Sequence, residues 1–301
     1  MHVAELRAEV ACELRSPREA TWLLEDVLGS RPDSLEGDRP VEDAERTRVG
    51  RLVARRRAGE PLQYVLGHWS FRRLELVVDS RGLIPRPETE QLVDIALAET
   101  VPLLGWRPDG RADPRVADLG TGTGAIALAL YDELVERAPG LEIWAVDDSP
   151  AALELAGENL AALGRRGAAR PAPEAVRLRL GSWWEALAPE LAGSIDLVVS
   201  NPPYVSEREW PDLDREVRCH EPRHALVAGD DSSGRPGMAA LVEVLAGAPR
   251  WLARPGIIVV ELAPAQAEAA RATALEAGLD EAEIRRDLSG HERFVVARKR
   301  A

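Results

Sequence analysis

From residue 115 onward, short apolar runs alternate with longer amphipathic stretches. RVADL precedes a helical pattern near 124 to 137, EIWAVD precedes one near 150 to 163, and VRLRLG and IDLVVS follow. A helical pattern near 237 to 252 then leads to GIIVVEL, and another near 264 to 277 leads to IRRDL and FVVAR. Strands alternating with helices predict a parallel sheet covered on both faces. IRRDL and FVVAR lie too close together for a helical crossover, so they predict an antiparallel hairpin at the sheet's end. Segments 100–114 and 164–174, rich in Pro, Gly and Arg, are expected to be surface loops.

The first 65 residues follow a helical period instead. In SPREATWLLEDVLG, Ser16 is placed to cap a helix, Pro17 falls in its first turn, Glu19 completes a capping box and Gly29 ends it. A second helix, 41–58, starts after Pro40, gathers Val49, Leu52 and Val53 on one face and stops near Gly59. The arginines at 55–57 read as a solvated helix end favoured by the dipole, ahead of a binding patch. In FRRLELVVDSRGLIP, Leu74, Leu76 and Val78 alternate before a turn at Ser80 to Gly82, which predicts a connecting hairpin. The chain divides accordingly into a helical segment 1–65, a hairpin linker 66–88 and an α/β domain 89–301.

Composition narrows the setting. A hydrophobic content of 45% over 301 residues is that of a globular protein with a core, and no run approaches the roughly 18 apolar residues that span a bilayer. The N-terminal MHVAELRAEVACELR carries charges where a signal peptide needs an apolar stretch, so a cytoplasmic location and no membrane partner are expected. A net charge of −13 weighs against direct nucleic-acid binding. Cys12 and Cys219 are far apart, with no CxxC and no His at ligand spacing, and read as plain thiols with no metal site.

Two stretches carry candidate chemistry. DLGTGTG, Asp118 to Gly124, sets three glycines between a strand and a helix, letting a ligand approach the backbone and aiming helix N-terminal amides at it. Its spacing, GxGxG, differs from the GxGxxG of nicotinamide folds. The next strand ends in Asp147, a carboxylate able to accept from both ribose hydroxyls of a nucleoside; its neighbour Asp148 reads as a capping or surface acid. In SNPPYV, two prolines that cannot donate to a ladder stop the strand stiffly between an amide, Asn201, and a ring, Tyr204.

Taken in order, EPLQYVLGHWSF, LIPRPETE, DLGTGTGAIALAL, SNPPYV and EPRHALVAGDD resemble the release-factor glutamine N5-methyltransferase family, the HemK-type enzymes, from residue 60 onward. The resemblance implies a Rossmann-like class I methyltransferase sheet with a small helical N-terminal domain and a connecting β-hairpin. It implies S-adenosyl-L-methionine as cofactor, held by Asp118, Gly120, Thr121, Gly122, Gly124, Asp147, Trp183 and Asn201. The implied substrate is the glutamine of the GGQ loop of peptide chain release factors, and the helical segment is expected to recognise that protein. A monomer is expected.

A glutamine amide nitrogen is a poor nucleophile because its lone pair is delocalised, so positioning must do the work. The Asn201 side-chain oxygen and the Pro202 carbonyl are expected to accept its two N–H groups while Tyr204 covers its face and Pro203 keeps the segment rigid. Where the family usually has an acid that accepts from the adenine, this chain has Ser182, which leaves adenine recognition to Trp183 and backbone. Pro85 to Glu90 resembles the segment that closes over substrate and cofactor, with Arg86 either there or in a surface ion pair. VELAPAQ keeps the family's Glu261 without its following glycine, and GDDSSGRPGMAAL is longer than the family's link. Two other readings stand beside this one: a nucleic-acid methyltransferase acting on adenine N6 or guanine N2, and a binding module that keeps the nucleoside pocket without catalysis.

Overall fold

The computed structural model describes residues 1–29, 39–104, 110–111, 113–164 and 173–301; parts of both expected surface loops, 105–109, 112 and 165–172, lie outside the described residues. The chain forms two compact units, Met1–Trp69 with Asp214–Glu221, and Ser70–Leu213 with Pro222–Ala301.

The first unit contains α1 (Val3–Leu14), α2 (Pro17–Leu28), α3 (Asp43–Arg57) and α4 (Leu62–Leu66). Ser16 Oγ accepts the Glu19 amide at 3.2 Å, and Gly29 closes α2 in the left-handed region at φ 61°. The Glu19 carboxylate does not complete the expected box: it holds the Arg56 guanidinium at 2.7 and 3.1 Å. Leu6, Val10, Leu23, Leu24, Val49, Val53 and Leu62 build the unit's core, with Leu52 packed at its edge. The arginine run is not simply a solvated helix end. Arg55 binds Glu60 and the carbonyls of Tyr64 and Val65, and Arg56 joins Glu19 to Glu216. Arg55 and Arg57, the latter paired with Glu13, remain exposed, and Arg56 is half-buried. Glu60 lies just beyond the helix in sequence, but Glu13, Glu19 and Glu216 come from other elements, so the run's linear neighbourhood does not announce them.

The hairpin turns earlier than expected. Strands β1 (His68–Phe71) and β2 (Leu74–Val77) pair around Arg72–Arg73, with Arg72 at φ 52°. That strained backbone is held by its own side chain and amide: Arg72 N–H donates to Glu90 at 3.0 Å, and the guanidinium to Glu133 and to the Glu90 carbonyl. Helix α5 (Pro87–Thr100), absent from the expectations above, buries Leu92, Val93 and Ala96 at helical spacing behind the acidic start PETE.

The remaining elements are β3 (Arg115–Leu119), α6 (Ala125–Leu134), β4 (Glu142–Asp147), α7 (Pro150–Gly164), β5 (Val176–Leu180), β6 (Ile195–Ser200), β7 (Val205–Ser206), α8 (Arg215–His220), β8 (Val227–Ala228), α9 (Ala239–Trp251), β9 (Leu252–Glu261), α10 (Ala267–Glu276), β10 (Glu281–Arg286) and β11 (Glu292–Lys299). Seven strands form one sheet in the order β10-β11-β9-β6-β3-β4-β5. All neighbours run parallel except β11, which is antiparallel to β9 and to β10, as the two closing apolar runs predict. Trp144, Ala117, Val198, Ile258 and Ala297 lie in register across five strands and pack in one cluster with Leu241, Val244 and Leu245 of α9 and Ala270 and Ala274 of α10. The alternate residues, Asp118 among them, turn to the side where α5, α6 and α7 pack in a row. From β3 the chain runs out to β4 and β5, then returns to β6 on the other side of β3. The crevice beyond the carboxyl ends of β3 and β6 is therefore the switch point where open α/β sheets bind ligands.

Candidate active site

The loop leaving β3 is shaped by its glycines. Gly120, Gly122 and Gly124 sit at φ 78°, 56° and 82°, in the left-handed region that side chains disfavour. A Cβ on Gly120 would stand 3.2 Å from the Trp183 ring, and one on Gly124 3.2 Å from Leu128 and 3.4 Å from Ala156; one on Gly122 would enter open space. Most amides of the loop itself are engaged within the chain, whereas Ala125 and Ile126, which open α6 at its N-terminus, line a hollow beside the loop. Gly120 and Thr121 donate to the Val146 carbonyl at 2.9 and 2.8 Å, Gly122 to Asp147 at 2.8 Å and Gly124 to the Thr121 carbonyl at 2.8 Å. A phosphate cradle needs such amides free. What the loop offers a ligand is close approach.

Asp118 shapes this loop from beneath. One carboxylate oxygen accepts Thr121 Oγ1 at 2.6 Å and the Ala127 amide at 3.1 Å, while the other is buried without a hydrogen-bond partner. Burial pushes its pKa up to about 7. Asp147 stands at the end of β4, accepting from the Gly122 and Ser149 amides at 2.8 and 2.9 Å, and burial raises its pKa as well. Asp148 is exposed at the rim, and the α7 cap belongs to Ser149, whose Oγ accepts the Ala152 amide at 3.2 Å.

A cleft of about 660 Å³, its open mouth included, gathers Gly120, Gly122, Asp147, Trp183, Asn201 and Pro203, together with Ser182, Arg81, Gly82 and His224. An adjoining hollow of about 380 Å³ shares Leu83, Gly120, Gly122 and Asn201 and adds Thr121, Arg86 and Thr89. Asp118, Gly124, Pro202 and Tyr204 line neither of these two spaces. The segment expected to turn the hairpin thus becomes a wall of the cleft. Buried Asn159 fixes its approach, accepting the Val77 amide at 2.7 Å and donating to the carbonyls of Val77 and Thr123 at 3.1 and 2.9 Å. Arg81 forms paired bonds to Asp79 and to Glu158.

The proline segment is located from several sides. Ser200 Oγ, at the end of β6, donates to the Leu119 carbonyl at 2.6 Å. Downstream, the Tyr204 carbonyl accepts Gln266 Nε2 at 3.0 Å, and β7 pairs with β8. The Tyr204 phenol is enclosed, and burial pushes its pKa up to about 12. Asn201 Nδ2 donates to Thr89 Oγ1 at 3.2 Å, and Thr89 donates to Glu261 at 2.8 Å. Among the described residues Asn201 Oδ1 accepts no hydrogen bond, and Asn201 lines both spaces. The longer link before α9 is organised by Asp231, which accepts from Ser233 and Arg235.

Sequence comparison bears directly on this arrangement. Residues 5–67 match the PrmC N-terminal domain and residues 103–217 the Methyltransferase small domain. The release factor glutamine methyltransferase of Bordetella pertussis is 43% identical over 278 residues, 92% of each chain. The chain belongs to the release factor glutamine methyltransferase family. The enzyme of the same name from Thermosynechococcus vestitus is 40% identical over 79% of this chain and 74% of its own, and that from Salmonella typhimurium is 37% identical over 93% and 91%. Within this family's site, sequence reasoning missed Thr89, Asn159, Ser200 and Gln266. Each acts through one to three long-range hydrogen bonds, and although Thr89, Ser200 and Gln266 fall within the stretches LIPRPETE, SNPPYV and VELAPAQ, a linear pattern does not show which distant groups they reach.

Proposed function

We propose that the protein transfers a methyl group from S-adenosyl-L-methionine to the side-chain amide nitrogen of the glutamine in the GGQ loop of peptide chain release factors, acting as a cytoplasmic monomer. The observation that carries this reading is Asn201: its Nδ2 is engaged by Thr89, which leaves Oδ1 as an acceptor on a residue that lines both the cleft and the second hollow. No helix among the described residues is long and apolar enough to cross a membrane.

The cleft fits a sulfonium nucleoside better than a nucleotide. The glycine loop presents side-chain-free backbone whose glycine amides are engaged within the chain, which suits the close approach of a nucleoside, and the Asp147 carboxylate at the cleft can accept from a ribose diol. Gly120, Thr121, Gly122, Asp147 and Trp183 would hold the cofactor, with Asp118 and Gly124 acting through the loop's shape and Asn201 serving the acceptor amide. Bound there, S-adenosyl-L-methionine supplies an already activated methyl group. The chain supplies alignment: Asn201 Oδ1 and the Pro202 carbonyl accept the two amide N–H bonds, Tyr204 covers the amide plane, and the paired prolines limit the motion that would lose the geometry. The helical unit, which carries no reactive constellation, recognises the body of the release factor and raises the effective concentration of its glutamine.

The test offers the purified enzyme a release factor, DNA and ribosomal RNA side by side with radiolabelled cofactor, and maps any modified residue by mass spectrometry. Methylation of the GGQ glutamine supports the reading. Label on nucleic acid alone would replace it with the exocyclic-amine reading, which the charge of −13 disfavours.

A further inference from the structure

Asn201 is useful only one way round. Its oxygen can accept from a glutamine amide, whereas its NH2 would set donor against donor. The Asn201 Nδ2–Thr89 Oγ1–Glu261 Oε2 chain, 3.2 and 2.8 Å long, decides between them. An ionised Glu261 can only accept, so the Thr89 hydroxyl points its hydrogen there and offers its lone pair to Asn201 Nδ2, leaving Oδ1 to the site. A protonated Glu261 can donate to Thr89 Oγ1, which frees the hydroxyl hydrogen for Asn201 and favours the amide turned over. We propose that Thr89 and Glu261 are positioning residues that set which end of the Asn201 amide faces the substrate, with the proton on Glu261 as the switch.

This inference rests on the methyl-transfer reading of the site. Glu261 is almost wholly buried at the end of β9, and Thr89 is buried on α5. The charged and titratable groups that face Glu261 are Arg86 and Glu88 at the start of α5, Arg293 in β11, and the Tyr204 phenol. Loss of solvation is the largest influence and pushes its pKa up to about 7, against the Thr89 hydrogen bond and the two arginines, which lower it, and with Glu88, which raises it. The productive orientation is therefore gained as pH rises through neutrality.

The first test reads the orientation without turnover. In the full-length protein labelled with ¹⁵N-asparagine, the Asn201 side-chain NH2 signals, assigned by their loss in Asn201→Ala, should move between pH 6 and 8 and cease to do so in Glu261→Gln. Signals that do not move in the wild type, or that still titrate in Glu261→Gln, overturn the proposal. A wild type inactive on release factor would instead overturn the function, so the two failures are distinct. The second test uses shape against hydrogen bonding. Thr89→Val keeps the volume and loses the hydroxyl; it should lower kcat about 10-fold or more with cofactor Kd unchanged, while Thr89→Ser stays within about 3-fold of wild type. A merely packed Thr89 would give the reverse order, Val tolerated and Ser impaired, and that result overturns the proposal.

Discussion

The loops that leave β3 and β6 begin side by side, with Leu119 and Ser200 in register, and contribute to one cleft by opposite means. The first is built from freedom: three glycines in left-handed backbone, their amides turned inward onto Val146, Asp147 and Thr121. The second is built from restraint: two prolines, a carbonyl held by Gln266 and an amide held by Thr89. A nucleoside is bound by surface fit and a carboxylate, so side-chain-free backbone suffices. A weak amide nucleophile must be oriented, and orientation needs acceptors that do not move. The difference between the loops is the difference between holding a molecule and aiming one.

Asn201→Ala should break the aiming loop alone. Losing a positioning hydrogen bond in an enclosed site costs about 2 to 4 kcal/mol in the barrier, roughly 30- to 1000-fold in kcat. Cofactor affinity should stay within a few-fold. Near-normal turnover, measured with saturating release factor, would remove Asn201 from the chemistry. Asp147→Ala should show the complementary pattern. Hydrogen bonds to a buried carboxylate contribute about 1.5 to 3 kcal/mol, so calorimetry should find the cofactor Kd raised by roughly 10- to 150-fold. An unchanged Kd would move the ribose contact elsewhere, with exposed Asp148 at the rim the first place to look.

The two loops were also unequally legible. Three alternate glycines, a strand-terminal acid and NPPY are local patterns, and they announced both loops and the strands before them. Local patterns also announced the antiparallel closing strands. What escaped was action at a distance. Thr89 lies in the stretch Pro85 to Glu90, whose resemblance suggests a closing segment but not the helix that buries Leu92, Val93 and Ala96, and it reaches Glu261 across 172 positions. Asn159 lies midway along an otherwise ordinary amphipathic helix. The glycines of DLGTGTG announce a close approach of backbone to ligand, but not that Val146 and Asp147 accept the loop's amides.

The holding loop has a pH dependence of its own. Asp118 has a pKa of about 7 in the fold against 3.8 for a free side chain, so the fold favours its neutral form. Its contribution to stability is full below the unfolded value and is lost as pH rises toward the folded one. Thermal melts should therefore show stability falling from about pH 4 toward pH 7. In Asp118→Asn the amide oxygen can keep the Thr121 and Ala127 bonds while the orphaned oxygen is replaced, so the fall should be shallower. An identical pH profile would mean that Asp118 is ionised in the fold throughout.

The smallest expected effect tests whether the loops are independent. Ser200 Oγ donates to the Leu119 carbonyl at 2.6 Å, a buried tie between the last residues of the two strands and so between the starts of the two loops. Ser200→Ala removes one neutral hydrogen bond without creating a large cavity, and should cost about 1 kcal/mol of stability, a drop of roughly 2 to 4 °C in Tm. The loop glycines remain fixed by Val146 and Asp147, so cofactor Kd should not change. Alignment is more demanding than binding, because a displacement too small to weaken a surface fit still moves an acceptor off its N–H. A kcat lowered by a few-fold at constant Kd would show that the tie transmits position from one loop to the other. A lower Tm with kcat unmoved would show that each loop is located by its own strand, and that Ser200 merely satisfies the Leu119 carbonyl.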